Sequence, residues 1–264
     1  MIELIASDMD GTLVNDEGKI SENVYKLINS LHDKNIKFAA ASGRFYSQLC
    51  KNFENVKSNM IIIAHNGALV KYKNDGITIF SSPLKDEDIE HILNSKREFG
   101  EEILIGAENN AFALNPKKEI YEAYKSWEIP VKLCTSPKDI DSPIYRITYF
   151  NPEGVKADTI KYLENNLSPN LGFVVSGSKW IDITNKEISK GNALRIIQDK
   201  YHIKKKNTMV FGDYYNDITM FQAADFSYAM ENAPEDVKDK ARFIAGSNNE
   251  NGVYNVIYEY ASSI

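Results

Sequence analysis

The sequence predicts an α/β protein: a parallel-sheet core interrupted by an inserted α+β module. Three observations lead there. Short, largely apolar runs recur at residues 2–6, 36–41, 60–64 and 208–211, as in strands buried on both faces. Each run ends in glycine or polar residues, and helical patterns alternate with the runs. Between about residues 83 and 186 the texture changes to hairpin-like strand pairs with intervening helices, the pattern of an antiparallel sheet.

The elements follow in order. The first strand, residues 2–6, runs into Asp8-Met9-Asp10-Gly11-Thr12. Residues 21–35 form a helix, with Ser21 as N-cap and Val24, Leu27, Ile28 and Leu31 at helical spacing. The strand over 36–41 ends at Ser42-Gly43-Arg44, and a helix follows through Leu49 and Phe53. The strand over 60–64 ends at His65-Asn66-Gly67-Ala68. The texture changes near Ser81-Ser82-Pro83, after which residues 86–99 form an amphipathic helix with Ile89, Ile92 and Leu93 on one side. Residues 103–107 and 111–114 read as a hairpin around Glu108-Asn109-Asn110. A strand over 145–150, a helix over 155–167 and strands over 171–176 and 180–184 complete the insertion. The alternating pattern then returns. It comprises a helix over 190–201, the 208–211 strand ending at Gly212-Asp213, a helix over 218–223, strands over 226–230 and 243–245, and a helix over 253–260. The expected domains are a discontinuous core, 1–82 and 187–264, and an insertion, 83–186.

Composition narrows the function. With 43% hydrophobic and 26% charged residues, the chain has the make-up of a soluble globular protein. A net charge of −6 argues against nonspecific nucleic-acid binding and fits an enzyme of small molecules. Cys50 and Cys134 lack metal-ligand spacing, which suggests free thiols in a reducing compartment. No apolar run reaches the roughly 18 residues of a membrane span. The first residues meet Glu3, Asp8 and Asp10 without a basic start, so the expected location is the cytoplasm.

The chemistry sits at the strand ends, where open α/β sheets place their sites. Asp8 would be ionised at neutral pH if unperturbed, and can attack an electrophile. An acidic turn with an Asx cap is the alternative for this run. Asp213, Asn216 and Asp217 follow another apolar strand, where an acidic helix start is the alternative. Four carboxylates converging on one sheet edge would repel one another, each close pair by about 4 kcal/mol at an effective dielectric of 20. A cation between them relieves this, and an all-oxygen donor set points to Mg²⁺ before Zn²⁺. Ser42 and Gly43 offer a hydroxyl and a backbone N–H as an anion cradle, unless Ser42 is only an N-cap. Lys190 sits at a helix start, where the dipole favours acids, so it either pairs with an anion or lies solvated at the surface. A carboxylate nucleophile, a metal, an anion cradle and a lysine together suit phosphoryl transfer.

In its motifs the chain resembles the haloacid dehalogenase-like hydrolases, in the Cof-type subgroup. Four motifs occur in order: Asp8-Met9-Asp10-Gly11-Thr12, Ser42-Gly43-Arg44, Lys190, and Gly212-Asp213 with Asn216-Asp217. The subgroup segments Asn66-Gly67-Ala68 and Ala229-Met230-Glu231-Asn232-Ala233 are matched as well. The resemblance implies a Rossmann-like core with helices on both faces and an α+β cap between the second and third motifs. It also implies an Mg²⁺-dependent phosphatase of small phosphorylated metabolites such as sugar phosphates, flavin mononucleotide or pyridoxal phosphate.

By position, Asp8 would be the nucleophile and Asp10 the acid and base. Asp8 and Asp213 would ligate the metal by side chain, and Asp10 by its backbone carbonyl. Ser42, Gly43, Lys190, Asn216 and the Met9 backbone would hold phosphate. Asp217 would orient Lys190 or metal waters, with Thr12, Arg44 and Asn66 in support. A phosphomutase and a non-catalytic binding protein are the alternatives, and a monomer or weak homodimer is expected. His65 is expected to be structural, and Trp127, Trp180 and Phe112 are candidate substrate contacts in the insertion.

Overall fold

A computed structural model describes residues 1–94, 101–127, 129–176 and 178–263. The chain divides into two compact units, Met1–Ser81 with Ser189–Ile264, and Ser82–Ile188. The first unit opens with β1 (Leu4–Asp8), α1 (Glu22–Asp33), β2 (Lys37–Ala41), α2 (Tyr46–Asn52), β3 (Ile61–Ala64), β4 (Leu69–Tyr72) and β5 (Thr78–Ser81). The second contains α3 (Asp86–Asn94), β6 (Glu102–Ala107), β7 (Ala111–Leu114), α4 (Lys118–Ser126) and β8 (Val131–Cys134). After these come β9 (Ile144–Phe150), α5 (Ala157–Asn166), β10 (Leu171–Val175) and β11 (Trp180–Asn185). The first unit resumes with α6 (Lys190–Tyr201), β12 (Thr208–Gly212), α7 (Ile218–Phe221), β13 (Phe226–Met230), α8 (Glu235–Lys238), β14 (Phe243–Ala245) and α9 (Gly252–Ser262).

The first unit is built on one sheet in the order β14-β13-β12-β1-β2-β3-β4-β5. The strands from β14 to β3 pair in parallel, with Asp8 opposite Ala41 and Ala41 opposite Ile63. Successive side chains point to opposite faces, so one short strand serves two cores. Leu4 and Ala6 pack with Ala193, Leu194 and Ile197 of α6 and with Met220 and Phe221 of α7. On the other face, Phe38 meets Phe53, which in turn meets Tyr25 of α1. Double coverage explains why these strands read as continuous apolar runs.

Two strands escape the sequence pattern. β4 and β5 extend the sheet antiparallel, after a reversal at His65–Gly67 where Asn66 takes φ 55°. Lys71 and Lys73 interrupt the apolar run here, because only part of this edge is covered.

The second unit is a six-stranded sheet in the order β10-β11-β9-β6-β7-β8. Its pairs are antiparallel except β7 with β8, which run parallel and are joined through α4. Neither α4 nor β8 was legible in the sequence. The expected helix over 86–99 is observed as far as Asn94, and its remaining positions lie outside the described residues. Ile89 and Ile92 of α3 and Leu163 of α5 pack on Ile103, Ile105, Ile147, Ile181 and Ile183. Trp127 and Trp180 join Tyr124 and Phe150 in one aromatic cluster that seats α4 on the sheet. Phe112 packs against the apolar core of this unit.

The contact between α6 and α7 yields a test. Alanine is a better helix former than glycine by about 1 kcal/mol, so Gly191→Ala should stabilise an isolated α6. A Cβ at Gly191 would lie 2.1 Å from the Thr219 carbonyl oxygen. The variant is therefore expected to unfold several degrees below the parent by calorimetry, an overpacking cost of about 1–3 kcal/mol.

Candidate active site

The strand order β12-β1-β2-β3 sets four carboxyl ends side by side, roughly 4.8 Å apart. Asp213 follows β12, Asp8 closes β1, Ser42 follows β2, and His65 and Asn66 follow β3. Residues far apart in sequence thus meet at one edge.

Lys190 is the centre of the arrangement. It is the first residue of α6, capped by Ser189, whose Oγ accepts the Asn192 N–H at 3.1 Å. Its side chain is 1% exposed and donates to Asp8 Oδ1 at 2.5 Å and to Asp217 Oδ1 at 2.6 Å. Of the two sequence readings, the anion partner is correct and the solvated lysine is not. Burial alone would depress its pKa, but the Asp217 and Asp8 carboxylates outweigh burial and hold it above the ordinary lysine range. Asp217 is itself fully buried, and its Oδ2 accepts the backbone N–H groups of Asp213 and Tyr214 at 3.0 and 3.1 Å.

Asp8 and Asp213 lie in the same small volume. Among the described residues, carboxylate oxygens of Asp8, Asp213 and Asp217 come within 4.8 Å of one another. Burial, then Asp217, pushes Asp8 well above the usual carboxylate range, against the pull of Lys190. Burial also raises Asp213, although Thr12 Oγ1 donates to its Oδ1 at 2.8 Å. One ammonium among three carboxylates leaves an excess of negative charge, and the donors are all oxygen. That set fits a hard divalent cation. Asp217 is already committed to Lys190 and two backbone groups, which leaves Asp8 and Asp213 as the carboxylates for an ion.

Asp10, two residues from Asp8, has a different environment. Its carboxylate lies outside the triplet and is largely exposed. It accepts Arg44 Nε at 3.0 Å and forms a second bond to Arg44 Nη2. Arg44 is anchored in turn by Nη1 donating to Asn52 Oδ1 at 3.0 Å, a contact the sequence gave no sign of. The loop between is tight: the Met9 carbonyl accepts the N–H groups of Thr12, Leu13 and Val14. The Met9 side chain is buried.

Ser42 does not cap α2, whose N-cap is Phe45; its Oγ accepts the Arg44 N–H at 3.2 Å and shapes the loop instead. Asn66 packs against Gly43, where a Cβ would meet the Asn66 amide at 3.2 Å, and its Oδ1 accepts Asn216 Nδ2 at 3.4 Å. His65 is buried with its ring edge-on to Phe45 at 5.2 Å, in keeping with a structural role. All four motifs therefore meet at one sheet edge. The segment 229–233 contributes something the sequence reading left without a role: Asn232 Nδ2 donates to the Gly11 carbonyl at 2.8 Å.

The sequence model of the haloacid dehalogenase-like hydrolases matches residues 5–257. The chain belongs to this family. Within it, the 5-amino-6-(5-phospho-D-ribitylamino)uracil phosphatase YbjI of Escherichia coli is 29% identical, over 97% of this chain and 95% of its own. A phosphatase of the haloalkanoate (HAD) enzyme superfamily from Bacteroides thetaiotaomicron is 25% identical, with TM-score 0.85 over 100% of this chain and 96% of its own. SMU.1108c from Streptococcus mutans is 28% identical, with TM-score 0.86 over 99% and 100%. This haloacid dehalogenase-like hydrolase is a phosphatase, and a phosphatase acts on a phosphorylated substrate. No helix among the described residues is long and apolar enough to cross a membrane.

Removing the ammonium tests the electrostatics without any substrate. Lys190→Met should leave Asp8 and Asp217 buried without their cation. The expected loss is about 3–5 kcal/mol in denaturant unfolding. A variant as stable as the parent would show that Lys190 does not hold the carboxylates together.

Proposed function

We propose that this protein hydrolyses small phosphate monoesters with Mg²⁺, through a phosphorylated Asp8. The observation that carries the reading is the buried Lys190 ammonium held between Asp8 and Asp217, beside Asp213. In water a carboxylate and a phosphate dianion repel each other. Here the carboxylate starts with a cation already in contact.

Asp8 attacks phosphorus as the ester P–O bond breaks, and the electron pair leaves on the alcohol oxygen. Asp10, entering the step protonated and released from Arg44, gives that oxygen its proton and is left as the carboxylate. Asp10 then takes a proton from water, which attacks the phosphorus of the aspartyl-phosphate; inorganic phosphate leaves and Asp8 is restored. Lys190, Asn216, Ser42 and the backbone N–H groups of Gly43 and Met9 hold the phosphoryl oxygens. The side chains of Asp8 and Asp213 and the backbone carbonyl of Asp10 would hold Mg²⁺, which would supply positive charge against the repulsion between carboxylate and phosphate. Thr12 steadies Asp213, Asp217 orients Lys190, Asn66 steadies Asn216 and Arg44 steadies Asp10.

We assign substrate selection to the inserted unit. Sugar phosphates, flavin mononucleotide and pyridoxal phosphate are the first substrates to test. The name of the E. coli relative adds phosphorylated ribityl compounds to them.

Turnover of p-nitrophenyl phosphate should require Mg²⁺ and disappear on chelation. Asp8→Asn should remove turnover while thermal unfolding stays cooperative; full activity in the folded variant would defeat the mechanism. Asp10→Asn should lower kcat/KM for the alkyl ester β-glycerophosphate, whose leaving oxygen needs a proton, by about 10²–10⁴-fold, the usual range for a positioned acid or base, and for p-nitrophenyl phosphate far less. A loss under tenfold on the alkyl ester would count against that role.

A further inference from the structure

We infer that Asn232 is a positioning residue for Asp10, acting through the Gly11 carbonyl; this rests on the reading of Asp10 as proton donor. Gly11 follows Asp10 directly and has φ +77°. A Cβ there would lie 2.4 Å from Asp213 Oδ2, so the close approach of loop and carboxylate demands glycine. Glycine also leaves the two soft torsions beside Asp10 without steric restraint. Something else must fix them. The hydrogen bonds of the turn converge on the Met9 carbonyl, one residue before Asp10. On the far side, Thr12 Oγ1 is fastened to Asp213.

Asn232 supplies the remaining fastening. It lies just beyond β13, and its Nδ2 donates to the Gly11 carbonyl at 2.8 Å. Its own orientation is set from the other end, because its Oδ1 accepts the Asn248 N–H at 3.1 Å. Asn248 is buried and continues the brace, with Nδ2 donating to the Val14 carbonyl and to Asp16 Oδ1, each at 3.1 Å. The two asparagines therefore clamp the loop from Gly11 to Asp16 against the C-terminal part of the unit. An exposed amide with both ends engaged by backbone has one orientation, so it can transmit position. A catalytic group displaced by about 1 Å can lose about 10²-fold in rate, which makes this bond matter more for Asp10 than for stability.

Two variants separate the roles. Asn232→Ala removes both bonds. Asn232→Asp keeps an oxygen for the Asn248 N–H but loses the donor to Gly11, and its near-identical shape decides the matter if the alanine variant does not fold. The readout is kcat/KM on two esters. The alkyl ester β-glycerophosphate needs a proton on its leaving oxygen, whereas p-nitrophenyl phosphate does not. Both variants are expected to lose about tenfold on the alkyl ester and under threefold on the aryl ester, with inhibition by inorganic phosphate unchanged. This is a weaker copy of the Asp10→Asn pattern. Equal losses on both esters, or no loss on the alkyl ester, would overturn the inference while wild-type turnover leaves the proposed function standing. Wild-type protein that turns over neither ester with Mg²⁺ would overturn both.

Discussion

The Lys190 ammonium between two buried aspartates is the constraint on which the rest of the site depends. A fully buried lysine carries a desolvation cost of several kcal/mol, and a buried carboxylate carries its own. The three groups are tolerable only together. Each is then held by something outside the triad: Lys190 by its place at the start of α6, Asp8 by the end of β1, and Asp217 by the backbone N–H groups of Asp213 and Tyr214. The result is a carboxylate, Asp8, whose position is specified by charge and by the sheet at once. The cost is a surplus of negative charge beside Asp213, which a divalent ion is suited to remove.

The parallel sheet makes that constraint affordable. Because β12, β1, β2 and β3 are neighbours, their carboxyl ends present loops that can bind to one another directly. Side chains, more than ladder bonds, complete the edge. Thr12 reaches Asp213 across 201 positions, and Arg44 reaches Asp10 across 34. Gly191 permits the tight crossing of α6 and α7 that brings Lys190 toward Asp217. A small change in helix packing would therefore be felt as a change in the charge network.

Much of this was legible in the sequence because the signals were local and strong. Strands covered on both faces announce themselves as apolar runs, and β1, β2, β3 and β12 did so. Strand ends carrying Asp, Ser-Gly and Gly-Asp marked the residues that the strand order sets side by side. What stayed hidden had weaker local signals. β4 and β5 are only partly covered, so their pattern is mixed; Asn66-Gly67 was nevertheless a readable turn dipeptide. The parallel β7 and β8 pair depends on α4, whose hold on the sheet comes from the Trp127 and Trp180 cluster and not from a clean stripe. For Ser42 the helix cap, offered as the alternative to an anion cradle because serine before a helix often is one, does not hold, since three residues of loop separate it from α2. Neither Asn52 behind Arg44 nor Asn232 behind Gly11 is inferable from spacing, since both act across the fold.

Asp8 and Asp10 show how position overrides chemical identity. Residues two apart in a strand share a face, so a continued β1 would have brought both carboxylates to the same side and left them to repel. Instead the strand stops at Asp8, and the chain turns back on the Met9 carbonyl. One carboxylate is left buried against a lysine and the other exposed against an arginine. Two acids of the same type thereby acquire separate surroundings, which suits the separate tasks proposed for them: a nucleophile needs a fixed, charge-compensated oxygen, and a proton carrier needs access to the leaving group and to water. Within that turn Gly11 lies so close to Asp213 that a Cβ would fall 2.4 Å from its Oδ2, so one small residue shapes the surroundings of both Asp10 and the acidic triplet.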